Sequence, residues 1–532
     1  MKKILLLFSG VMILQSCFDV KPTTFRRTYK DANELIHSTP KLSTVPFLKA
    51  HMKDGSVYIL SDTWTQDTIT GNITGNGKHF DFNRRLMKEG VFEIPYDSLA
   101  LFETNNQLQN MDEEFSSTLR ALTVTNLIVT TICITNPKVC FGSCPTFYLC
   151  PTENVHYSAA EGFSNAIAPS LEYADIDALG NVNVGNEPFQ LTMKNEALET
   201  HCVNSIGVYA VPVEHGYRTC HTNHDEFYRC SREVMPFKAV AAEGTILRQV
   251  AYDDKLERFS VSDSFNMASK EEIFLDYHLP DQTANSVGML LDFRQSIMTT
   301  FLIYNAIAYM GDEVGDVFAR MENGENLSER LKNGIQKELG GIEVYLKNNK
   351  SQKWELQGTF YETGPIAINS QLIPFSKQNL SGTVSVKLRL NKGLWRIDRA
   401  ALAVIDKKVE PVKYTPTRVL RNGEIDVKAI SQLSDANRHL ISEPGDVYTL
   451  FFDSIPAQSE MDLFLRSEGY YWEWMRDYWL KEKNMTELRK MILRPAAYLR
   501  QQAKSYKQYE NQIEEEFWNS RIEGKIFTRN EK

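Results

Sequence analysis

The chain has 532 residues, enough for about three or four domains, and its 42% hydrophobic and 24% charged content is that of a globular protein with packed cores. A formal charge of −9 and the lack of any basic stripe exclude a large nucleic-acid footprint, so no nucleic-acid partner is expected.

The chain starts with Met1-Lys2-Lys3, an apolar run at 4–14 and then Leu14-Gln15-Ser16-Cys17, a short leader whose small residue sits directly before a cysteine. The run of about eleven residues is too short to span a bilayer, which needs roughly twenty, so residues 1–16 are expected to be cleaved. The pattern resembles a bacterial lipoprotein signal and predicts lipidation of Cys17. Phe18-Asp19 has no aspartate directly after the lipid site, which favours anchoring at the outer membrane. The polar stretch 17–42, with Pro22 and Pro40, reads as a tether.

Residues 43–105 alternate with period two between turn signals, including Asp54-Gly55 and the turns expected at Gly71, Gly75 and Gly77. About five short strands predict a small barrel-like module, with Trp64 in its core or, together with His51, in a groove. The uncharged stretch 121–137 within 106–139 falls short of a membrane span and reads as a buried apolar linker or helix.

Besides Cys17, the cysteines are Cys133, Cys140, Cys144, Cys150, Cys202, Cys220 and Cys230, all within about a hundred residues of one another. In an oxidising compartment such clustering predicts local disulfides, and the short closures Cys140 with Cys144 and Cys220 with Cys230 are preferred.

Cys140-Phe141-Gly142-Ser143-Cys144-Pro145-Thr146-Phe147-Tyr148, Glu161-Gly162-Phe163-Ser164 and Asn195-Glu196-Ala197-Leu198-Glu199-Thr200-His201 resemble motifs of a family of uncharacterised exported lipoproteins of the Bacteroidota kind. The likeness continues through Leu394-Trp395-Arg396-Ile397-Asp398 to Gly469-Tyr470-Tyr471-Trp472-Glu473-Trp474. It implies one continuous architecture over about 45–520 and assigns no functional residue.

Residues 140–460 read as a β-rich core with a helical insertion at about 295–340. Strands are predicted at 189–193, 205–213, 272–277, 287–293, 342–346, 354–360, 383–390, 395–404 and 447–452, and helices at 297–310 and 327–339. Asn391-Lys392-Gly393 predicts a hairpin turn, with Trp395 buried after it. The overall class is thus mainly β with helical insertions, in sandwich-type lobes. Residues 461–532 read as an aromatic-rich helical segment broken at Pro495.

Three clusters invite chemistry. His221 and His224, beside His201, His215, Cys202, Cys220 and Cys230, could ligate a borderline metal, although the export setting favours disulfides over thiolates. Glu161, Glu172, Asp175 and Asp177 suggest an acid/base pair or, through Asp175-x-Asp177-x-x-Gly180, a calcium loop, with a solvated loop the simpler alternative. Trp472 and Trp474 suggest a sugar-stacking platform, and packing of the same rings is the plainer alternative. Phosphate-binding loops, nucleophile elbows and paired zinc histidines are absent from the sequence. No cofactor is expected. The pattern predicts a membrane-anchored envelope lipoprotein with a non-enzymatic binding or assembly role and an envelope protein or glycan as partner; a hydrolase with dispersed carboxylates is the weaker alternative.

Overall fold

The computed structural model describes residues 25–27, most of 48–104 and most of 144–519. Cys17, the tether up to residue 24, the linker 106–139, Cys140 and Trp474 lie outside the described residues. The protein is mostly β, with a half-barrel sheet near its N-terminus, several further sheets and a few helices, some of them C-terminal. Among the described residues no helix is long and apolar enough to cross a membrane.

The N-terminal sheet is antiparallel and closes over Leu48, Ala50, Leu60, Trp64, Ile73 and Ile94, so Trp64 is a core residue. Two glycines expected in turns instead lie inside strand Ile73–Phe80. A Cβ on Gly77 would stand 2.1 Å from the Ile59 carbonyl oxygen, and one on Gly75 would stand 2.7 Å from the Trp64 Cβ. Their missing side chains let the strand close on its neighbours around the indole. Gly71, with φ of 75°, does sit in a turn.

Three further sheets form stacked layers. Strands Ser286–Gln295 and Trp395–Val409 pair at the centre of the middle layer. Their runs Met289-Leu290-Leu291 and Ala400-Ala401-Leu402-Ala403 are buried without alternation because the sheet is covered on both faces. On one side Phe293 meets Phe360 of the outer sheet (centroids 5.4 Å apart), and the Tyr277 hydroxyl donates to the Ala400 carbonyl at 3.1 Å. On the other, Phe227 meets Phe464 at 5.0 Å, and the Asn369 side chain bonds the backbone of Ile176 and Ala178 at 3.0 Å each. A fourth sheet, built around Phe189–Lys194 and Val447–Phe452, joins the same apolar core.

All nine strands predicted in the core are present; Trp354–Phe360 and Val447–Phe452 have the predicted bounds and the other seven run longer. The expected hairpin at Asn391-Lys392-Gly393 is instead an arch. Gly382–Asn391 pairs in the outer sheet, whereas Trp395–Val409 pairs in the middle one. Gly393, at φ of 78°, turns the chain against Ser262, whose Cβ lies 2.7 Å from the position of an added Cβ. Trp395 is buried as expected.

The helix predicted at 297–310 is Met298–Met310. Of the one predicted at 327–339, the described part is a wide turn at Lys332–Gln336 and a single helical turn at Lys337–Leu339. The C-terminal helical segment starts at Met485, not at 461. Residues Ser459–Glu473 form instead a 15-residue strand at the centre of its sheet, between Tyr173–Val184 and Glu199–Pro212. Pro495 does divide the helices: it opens Pro495–Asn519, where its missing N–H has no helical partner to lose. This last helix buries Tyr498, Leu499, Ala503 and Tyr506 and sends two carboxylates into the body. Glu514 accepts the Ile297 N–H at 3.0 Å, at the start of Met298–Met310, and pairs with Arg396 at 2.6 Å; Glu510 accepts the Ser262 N–H at 2.6 Å.

Candidate binding face

The outer sheet runs from Gly244–Thr245 through Lys238–Ala241, Lys270–Leu279, Gly382–Asn391 and Ile342–Lys347 to Trp354–Phe360. Along Lys270–Leu279 the residues Ile273, Leu275, Tyr277 and Leu279 point into the core with no exposure. Glu272, Phe274, Asp276 and His278 therefore face outward, because side chains alternate across a strand. Phe274 stands opposite Lys387, and Lys387 stands opposite Tyr345. Phe274 is 40% exposed and its ring lies 5.8 Å from that of Trp354, at 54°. The Lys387 ammonium sits 4.7 Å from the Tyr345 ring centre and 5.6 Å from that of Trp354, and bonds the Glu272 Oε1 at 2.8 Å. Tyr345 donates its hydroxyl to Glu343 at 2.7 Å, which raises the phenol pKa, and Arg389 reaches the same carboxylate at 3.2 Å. The result is an open face of three aromatic rings edged by donors and acceptors. None of the three was singled out from the sequence. The available signal was phase for two of them: Phe274 and Tyr345 are aromatic residues where the alternation of their strands calls for a polar one, whereas Trp354 shares the parity of buried Phe360 and reaches the outer face through the register shift between Val344 and Tyr345.

The residues favoured from sequence are placed elsewhere. Trp472 is fully buried against Phe318 and Tyr470, with ring centres 5.0 and 6.0 Å away, so it cannot serve as a sugar platform. It lies on a central strand covered on both faces, where an aromatic residue fills the interior. His221 and His224 are not brought together as a metal pair. The His221 ring is buried, with Nδ1 3.1 Å from the Thr222 carbonyl oxygen and Phe464 edge-on at 5.3 Å, while His224 is exposed on the turn beside Asp225. Among the described residues no group of three or more His, Cys, Asp or Glu side chains could hold a metal ion.

Cys220 and Cys230 do meet. They lie on paired strands as diagonal neighbours, Cys220 opposite Tyr228 and Cys230 opposite Arg218. Hydrogen bonding to Cys220, followed by burial, pushes the Cys230 thiol well above its usual pKa. The two side chains are in hydrogen-bond contact, with the sulfurs not at disulfide bonding distance. The cleft beside Cys220, lined by Arg218, Asn181, Glu233, Ser370 and Asp462, has a free volume of about 40 Å³. That is room for about three waters and too little for a sugar.

Asp175 and Asp177 sit on a regular strand opposite Ser467 and Leu465, not on a loop, which removes the calcium geometry and the solvated loop alike. The Glu161 carboxylate accepts the backbone N–H groups of Ile366 at 2.5 Å and Ala367 at 3.0 Å. Asp175 accepts from the Phe163 N–H at 3.2 Å, and burial, helped by the nearby Glu161 charge, pushes its carboxyl up to about 7. Neither lines the cleft beside Cys220. A raised carboxylate costs stability at high pH: from about pH 4 to 7 the unfolded chain ionises at this position while the folded chain holds its proton, so stability falls as pH rises through that window. Asp175→Asn is therefore expected to match the parent near pH 4 and to exceed it by of order 2 kcal/mol at pH 8, allowing for partial exposure. Urea denaturation at both pH values checks this; parallel pH trends in the two proteins would contradict it.

No family model matches the chain, and no curated protein matches it. Among solved structures it is weakly similar to a GH31 alpha-xylosidase from Xanthomonas citri, at 8% identity and a TM-score of 0.15 over 81% of this chain. The chain spans 37% of that protein's length. A secreted serine protease from Vibrio cholerae gives 8% identity and a TM-score of 0.12, over 72% of this chain and 76% of the protease. Scores this low bear on neither fold nor function.

Proposed function

We propose that the protein is an exported lipoprotein, acylated at Cys17 and moored to the outer membrane, whose β body binds a component of the cell envelope rather than catalysing a reaction. The support for mooring is Leu14-Gln15-Ser16-Cys17 followed by a polar stretch long enough to hold the body off the lipid. The observation that carries the binding role is the open aromatic face of the outer sheet, set on strands whose opposite side is locked into the core. The partner is an envelope protein or a glycan.

One acyl chain gives only marginal membrane affinity, so stable mooring depends on the modified cysteine carrying more than one. Cys17→Ser is expected to move most of the protein out of the membrane fraction while leaving its melting temperature unchanged, since the sequence places residue 17 in the polar tether. Fractionation of cells expressing each form checks this. Equal membrane retention of the serine variant would remove lipid mooring from the proposal.

A further inference from the structure

We infer that the outer face of the sheet binds an uncharged, extended polysaccharide whose sugar rings lie on Trp354 and Phe274; this deepens the binding role proposed above and rests on it. Flat apolar rings pair with the C–H faces of sugars, while the polar groups at their edges meet the hydroxyls. Here the rings of Phe274 and Trp354, tilted 54° with centres 5.8 Å apart, pack against each other beside Lys387 and present an apolar ridge among the polar side chains of the sheet.

Charge complementarity selects a neutral chain. Lys387 is matched by Glu272 at 2.8 Å and Arg389 by Glu343 at 3.2 Å, so the two central cations are each offset by a carboxylate and only Lys347, 6.0 Å from the Trp354 ring centre, adds positive charge beside the rings; the face offers donors and acceptors without the clustered cations a polyanion calls for. An open face also suits a polymer better than a single sugar, which needs an enclosing pocket to bury most of its surface. Leu356, 56% exposed and opposite Tyr345, extends the apolar track along the strand direction.

The test is native electrophoresis of the full mature protein, held in neutral detergent, through gels containing xylan, mixed-linkage β-glucan or polygalacturonate. Xylan or β-glucan is expected to retard the parent, polygalacturonate to retard it less, and Trp354→Ala to weaken retention about tenfold. Lys387→Gln, which keeps the rings but removes the cation between them, is expected to weaken it by a smaller factor. Val427→Ala, at an exposed position on a different element, is expected to bind as the parent does. Both face variants should melt within a few degrees of the parent, since Trp354 and Lys387 are half-buried on the outer side of the sheet and not part of the core. Should Trp354→Ala fail to fold, Lys387→Gln alone decides. No retardation by either neutral polymer, stronger retardation by polygalacturonate, or unchanged retention of the face variants would overturn the inference. Self-association in sedimentation that disappears with Trp354→Ala would also overturn it, by giving the face to a second copy of the chain. Membrane mooring through Cys17 would survive any of these failures, so loss of the glycan ligand and loss of the exported role are separately visible.

Discussion

Arg399→Ala is expected to destabilise the protein by about 3–5 kcal/mol, the usual consequence of removing one partner from a buried ionic group. The guanidinium, 3% exposed, bridges the middle sheet: its Nε donates to the Asp292 Oδ2 at 2.8 Å, and Nη1 pairs with Glu233. Asp292 has no exposure at all, and burial already raises the Glu233 pKa against the lowering effect of Arg399. Without the arginine both carboxylates remain in the interior lacking their common cation, and they must take up protons or open the sheet. The loss should therefore be larger at pH 8 than at pH 5, where protonation relieves it. Arg399→Lys keeps the charge but cannot reach both carboxylates with a planar fork, so an intermediate loss is expected. Urea midpoints at the two pH values measure this, and a loss below about 1 kcal/mol for the alanine variant would contradict the buried placement.

Trp472→Ala is expected to cost about 3–5 kcal/mol, the range for deleting a large aromatic side chain from a core. Trp472 is opposite Thr200 in the sheet and packs edge-on to Phe318 of helix Val314–Glu322, so the indole ties a central strand to the helical insertion. The contrast with Trp354 separates two roles for one residue type. At Trp472 the change should move the denaturation midpoint, whereas at Trp354 it should move binding and leave the midpoint nearly in place. A stable Trp472→Ala protein that had lost retention in polysaccharide gels would reverse the two assignments.

Much of the β architecture was legible because one-sided strands advertise themselves: Val384, Val386, Leu388 and Leu390 alternate with Ser385, Lys387 and Arg389, and the strand is where that pattern places it. The failures have physical causes. Strand Ser459–Glu473 is buried nearly throughout, so Tyr470-Tyr471-Trp472 lacks the polar alternation of a surface strand and reads in sequence as part of the helical segment 461–532. Met461, Leu463 and Leu465, at every second position, were the signal for a strand. Asn391-Lys392-Gly393 has the local chemistry of a tight turn, yet pairing with Lys270–Leu279 on one side and Ser286–Gln295 on the other decides whether such a turn makes a hairpin or an arch. The candidate face was less legible still. Phe274, Tyr345 and Trp354 come from three strands, and only the register that sets Phe274, Lys387 and Tyr345 in line brings them together.

The central claim is that the body works outside the cytosol on a lipid mooring, and mass spectrometry of the N-terminal peptide of protein taken from cell envelopes tests it most directly. The expected result is a peptide starting at Cys17 with acyl chains attached. A peptide still carrying the leader at Met1–Ser16, or an unmodified Cys17 in protein recovered from the cytoplasm, would contradict it.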